Sequence, residues 1–218
     1  MTDADDTRFE VGTLLQDTVA LMRWNRWRIA VALAILAGIG ILADLAGADV
    51  NVGNLLYNIA ALFFELWLTV SLLKDSGNRA VGAGGFGALF AVSLIGQLCI
   101  VLGLILLVIP GVILLVRWSL GVPIVLSERV SAIEALRESW RATEGRFWPV
   151  FAVLLIVYLP LGVLAMGTAA ITAESAPTVS AIALNLSLSV MLVTGWHAAV
   201  AMFLAAQVKP QSLEEVFA

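Results

Sequence analysis

Six apolar stretches, each close to the length of a bilayer crossing, dominate this chain and restrict it to one kind of architecture. They fall near residues 29–45, 55–73, 88–109, 112–126, 147–171 and 179–206. A transmembrane helix needs about 20 predominantly apolar residues, with a range near 17–25. The expected fold is therefore all-α: a polytopic bundle of about six spans forming a single integral membrane domain. The fourth stretch is short and holds Arg117 and Pro123, so it either crosses the bilayer with little tilt or forms a hairpin with the third around Pro110-Gly111.

Composition agrees with lipid as the solvent. The 218 residues are 61% hydrophobic and 13% charged, with a mean hydropathy of +1.00. Soluble domains carry about 25% charged residues. The length suits one bundle and leaves no room for a sizeable soluble domain. The net charge of -4 comes without any sustained basic tract, which excludes a nucleic-acid partner. The N-terminus is acidic and the first apolar run starts near Trp27, too late for a cleavable signal peptide. The first span is expected to act as its own targeting signal. Cys99 is the lone cysteine, inside an apolar run, and reads as a small core hydrophobe.

Charge sets the expected orientation. The segments 44–54, 110–111 and 172–178 contain Asp44, Asp49 and Glu174 but no Lys or Arg. The alternate segments hold Arg8, Arg23, Arg26, Arg28, Lys74, Arg79, Arg129, Arg137, Arg141, Arg146 and Lys209. The remaining cation, Arg117, lies within a span. By the positive-inside rule the cation-rich side, with both termini, is cytoplasmic.

Two amphipathic segments flank these spans. Over 9–22, Val11, Leu14, Leu15, Thr18 and Met22 follow helical spacing, which predicts a helix along the membrane surface or against the bundle. Trp24 and Trp27, interleaved with Arg23, Arg26 and Arg28, mark an interface. Over 131–144, Ser131 with Glu134 three residues on forms a capping box. Ile133, Leu136 and Trp140 then share one face, and Gly145 is a natural stop. A short cytoplasmic interfacial helix is expected there. The glycine cluster over 82–87 lacks the strand and lysine of a phosphate-binding loop and reads as a flexible entry into the membrane.

Residues 110–148 carry the most distinctive pattern: Pro110-Gly111, Arg117-Trp118-Ser119, Pro123, Glu128, then Glu134-Ala135-Leu136, Ser139-Trp140 and Gly145. This resembles the membrane domain associated with bacterial glycerophosphoryl diester phosphodiesterases and related small bacterial integral membrane proteins. The resemblance implies a bacterial cytoplasmic membrane. It does not imply hydrolysis, which in that family belongs to a separate soluble barrel absent from this sequence.

The candidate site residues follow. Arg129, Arg137, Arg141 and Arg146, with Glu128 and beside Trp140 and Trp148, could hold anionic lipid headgroups or dock a protein, or could simply brace the adjoining spans. Glu65 and Arg117 are the two clearest intramembrane charges, candidates for an ion pair or for a substrate or proton path. His197 lacks companion ligands and reads as a hydrogen-bonded core histidine, with no metal and no cofactor expected. Asn58, Gln97 and Asn185 are expected to bond across helices. Ala30, Ala34 and Gly38 form a small-residue stripe expected to pack within the bundle, or alternatively to join a second copy. No Ser-His-Asp arrangement is readable. The leading expectation is a non-enzymatic membrane protein that binds membrane lipid or docks a membrane or cytoplasmic protein at 128–148. The alternatives are a small transporter using Glu65 and Arg117 and an intramembrane lipid-modifying enzyme.

Overall fold

A computed structural model describes residues 9–47, 49–77, 85–128, 130–172 and 175–207. Arg8, Arg79, Arg129, Glu174, Lys209 and residues 82–84 of the glycine cluster lie outside the described residues. Among those described, all regular structure is helical: α1 Val11–Trp24, α2 Arg26–Leu45, α3 Val50–Asp75, α4 Gly85–Leu106, α5 Val108–Arg117, α6 Gly121–Ser127, α7 Ala132–Ala142, α8 Phe147–Thr172 and α9 Pro177–Gln207. Six spans are long and apolar enough to cross a membrane: α2, α3, α4, α5 continued by α6, α8 and α9. The chain is a multi-pass membrane protein.

Helices outrun their apolar stretches because backbone hydrogen bonding continues into the interface until a cap or turn ends it. At the start of α3 the Asp49 carboxylate accepts from the N–H groups of Asn51 and Val52, satisfying donors that have no helical partner. After α2, Gly47 turns the chain at φ +62. Residues 9–22 do form a helix, and it lies against the bundle: Leu14 and Thr18 of α1 are buried, and α1 packs on α9 and α8.

The axis of the bundle is α9, which touches α8, α2, α1, α3 and α6. Its buried positions are mostly small, including Ser180, Ala181, Ser187, Ser189, Gly195, Ala198 and Ala201. Small side chains let neighbouring helices come close, which is where packing energy comes from when lipid is the alternative environment. At Gly195 the Tyr158 hydroxyl occupies the space a Cβ would need.

Two expectations about helix contacts are corrected. Ala30 and Ala34 are exposed and nothing lies near Gly38, so the stripe they form is not packed within the bundle. The close approach instead occurs at Gly40, against the Asn185 side chain. Asn185 does bond across helices, to Asp44 at 2.7 Å. Asn58 donates within its own helix to the Asn54 carbonyl, and Gln97 is exposed with no side-chain bond to a described residue.

The turn between the third and fourth spans is also displaced. It falls at Leu107, whose backbone is extended, and not at Pro110-Gly111. Pro110 sits in the first turn of α5, where its missing N–H has no helical acceptor to lose. Gly111 serves the crossing: a Cβ on Gly103 would stand 2.9 Å from the Gly111 Cα. The two glycines bring α4 and α5 into backbone contact.

Candidate functional site

One end of the bundle, hereafter the α7 end, is organised around a break in the fourth span. Pro123 has no N–H, and its ring crowds the carbonyl four residues back. The helix stops at Arg117 and resumes at Gly121. The break leaves the Arg117 carbonyl and the Leu120 N–H outside the helical ladder. Ser139 of α7 meets both: its hydroxyl donates to the Arg117 carbonyl at 2.7 Å and accepts from the Leu120 N–H at 3.1 Å. Sequence reasoning quoted Ser139 within the Ser139-Trp140 motif but gave it no role. Its signal was the position, three residues after Leu136 and on the same helical face.

The capping box that starts α7 is fully formed. Glu134 N–H donates to the Ser131 hydroxyl, and Ser131 N–H donates to the Glu134 carboxylate at 2.9 Å. The bond from the Ser131 backbone is the main reason the Glu134 carboxyl is held below its usual range, with smaller help from the Ser131 side chain and Arg137. From this start α7 runs back along α6 and α4. Leu136 seats over Gly121, where a Cβ would come within 3.1 Å of it.

Ile133, Leu136 and Trp140 share a face, as their spacing predicts. That face lines an open groove of about 450 Å³, completed by Ile95 of α4, Trp118, Arg137 and Arg141. The floor is apolar and the two arginines are exposed beside it. Arg141 also reaches Glu138 at 2.6 Å, an exposed pair worth little to stability. Behind Trp140 lies Arg117. Its guanidinium carbon is 5.2 Å from the Trp140 ring centroid and 5.9 Å from that of Phe147. Its Nε and Nη1 are buried without a hydrogen-bond acceptor. Aromatic faces stand where a counter-ion would otherwise be required.

The remaining candidates are placed elsewhere. Arg146 sits 4.2 Å over the Phe9 ring, away from the groove. Trp148 is 73% exposed and packs edge-on to Phe147 and Phe151, as an interfacial anchor would. Glu128 ends α6 and is exposed, outside the groove lining. Arg129 lies outside the described residues. Glu65 stands in α3 near Ser93 and Tyr158; no ion pair joins it to Arg117 among the described residues. His197 is fully buried, with Nδ1 at 2.7 Å from the Val193 carbonyl and Nε2 unpartnered. No group of three or more metal-ligating side chains forms among the described residues.

Comparison with protein-family models, curated proteins and solved structures finds no match for this chain. The reading of the site therefore rests on its own geometry.

Proposed function

We propose that this chain is a non-enzymatic protein of a bacterial cytoplasmic membrane, with its termini and α7 on the cytoplasmic side, and that it binds an anionic lipid in the α7 groove. The observation that carries this reading is the groove itself. An apolar floor of Ile95, Trp118, Ile133, Leu136 and Trp140 is bordered by Arg137 and Arg141. An acyl chain matches the floor, and a phosphate at headgroup level matches paired guanidinium groups, which bind phosphate through forked N–H donors. Arg117 stiffens the site from behind by holding Trp140 in place. The orientation is supported by the described charges: Arg23, Arg26, Arg28, Lys74, Arg137, Arg141 and Arg146 at the α7 end, against Asp44 and Asp49 at the other.

The test is native mass spectrometry of the detergent-released protein with phosphatidylglycerol and phosphatidylcholine. The parent is expected to retain phosphatidylglycerol at least tenfold more than the zwitterionic lipid. The double variant Arg137→Ala/Arg141→Ala should lose that preference, while Arg146→Ala, whose guanidinium lies over Phe9, should keep it. Equal retention of the two lipids by the parent, or equal loss in both variants, would overturn the reading.

A further inference from the structure

The end of the bundle opposite α7 opens on a second cleft, of about 500 Å³, between α2, α3 and α9. Its volume is within the range of small-molecule sites. Its polar lining is Asp44, Asp49, Asn54, Tyr57, Asn58 and Asn185.

The hydrogen-bond balance of these groups is uneven. Asn185 is only 8% exposed. Its amide nitrogen donates to the Asp44 carboxylate at 2.7 Å and to the Ala181 carbonyl at 2.9 Å. Two acceptors on that side fix the orientation of the amide, because its oxygen could satisfy neither. The Asn185 Oδ1 lies against Gly40 and accepts no bond from a described residue. Asn185 lines the cleft, so this oxygen keeps its acceptor capacity for a donor that enters there. Asp44 has one carboxylate oxygen engaged by Asn185, leaving the other open. Asp49 adds a second negative charge while capping α3. Tyr57 and Ser189 share one hydrogen bond at 3.3 Å. Among the described residues this end carries no Lys or Arg to neutralise the two carboxylates.

A ligand complementary to this lining carries positive charge and several N–H donors, and lacks acceptors of its own. A primary ammonium group has those properties: three donors and no acceptor, as in a lysine side chain.

We propose that this cleft binds a primary ammonium group, with Asp44 as its counter-ion and the Asn185 Oδ1 among its acceptors. Gly40 is part of the site because any side chain there would occupy the space of the Asn185 amide oxygen. The ammonium can arrive on a phosphatidylethanolamine headgroup or on a water-borne amine, and both present the same chemistry. The site is independent of the α7 groove and stands or falls separately from it.

The experiment is calorimetric titration of the full chain, in nanodiscs of phosphatidylglycerol, with ethanolamine and with choline. Choline has the same charge and no N–H. Ethanolamine is expected to bind at least tenfold more tightly than choline. In the double variant Asp44→Asn/Asp49→Asn its affinity should fall at least tenfold. Asparagine preserves the shape of both positions and caps helices as well as aspartate. If the variant unfolds, the comparison of ethanolamine with choline in the parent decides alone. Equal affinity for the two cations, no saturable heat from either, or unchanged ethanolamine affinity in a folded variant would overturn the proposal. Repeating the titration in nanodiscs containing phosphatidylethanolamine identifies the source. A tenfold weaker apparent affinity for free ethanolamine marks the lipid headgroup as occupant, and an unchanged affinity marks a water-borne amine; either supports an ammonium site.

Discussion

The two ends of this bundle solve different problems. At the α7 end, side chains from α1, α3, α4, α6, α7, α8 and α9 close into one buried cluster, including Leu14, Leu72, Leu89, Leu120, Leu126, Leu136, Val153 and Met202. At the far end more of the large apolar side chains are left uncovered. Leu106, Leu107 and Ile109 around the α4–α5 turn, and Met166 and Ile171 near the end of α8, are mostly exposed. Between α2, α3 and α9 the far end keeps a polar cleft. The contrast teaches that apolar content alone does not mark a core in a membrane protein. Leu72 and Leu107 are equally hydrophobic; one fills a packed interior and the other is exposed at a turn.

The sharpest way to break this contrast is at the interrupted span. Ser139→Ala leaves the Arg117 carbonyl and the Leu120 N–H unsatisfied in a buried setting. An orphaned buried group costs about 1–3 kcal/mol, so a loss of about 3 kcal/mol is expected in mixed-micelle unfolding. Ser187→Ala, at a buried α9 serine whose side chain makes no hydrogen bond to a described residue, should cost less than half as much; equal losses would remove Ser139 from its bridging role. A smaller effect compares the two leucines directly. Leu72→Ala should destabilise by about 2 kcal/mol, the low end of the range for aqueous cores, because lipid solvates leucine as well as a core does and the cavity term remains. Leu107→Ala should be close to neutral, and a matching loss there would mean that the far end is packed after all.

The smallest effects concern the start of α7. Ser131→Ala removes one half of the capping box and should cost about 1 kcal/mol. The Glu134 carboxyl is held below its usual range, so its contribution is present in full above the ordinary carboxylate pKa and is lost as pH falls through the lowered value. Glu134→Gln keeps the shape and the reach of the cap. The stability difference between parent and Glu134→Gln should therefore shrink on acidification; a difference that does not change with pH would show that the charge contributes nothing.

Much of the fold was legible because membrane insertion and helix capping are local. Apolar length fixed the six spans, the Ser131–Glu134 spacing fixed the start of α7, and Gly145, at φ +74, fixed its end. The face shared by Ile133, Leu136 and Trp140 was visible in the same way, since helical periodicity needs no knowledge of neighbours. Arg146 illustrates the limit. It lies close in sequence to Arg141, yet its guanidinium belongs to Phe9, more than a hundred positions away.

What the sequence determined by itself was which segments enter lipid, which ends carry charge, and where α7 begins and stops. Those follow from transfer free energies and from backbone groups that must find partners within one or two turns. Only the tertiary structure decided that Ser139 closes the break after Arg117, that Ile95 and Trp118 complete the α7 groove, and that Asn185 meets Asp44 beside Gly40. Each of these joins residues far apart in the chain. Their pairing depends on helix rotation and crossing, which hydropathy leaves open because lipid and protein interior are equally apolar.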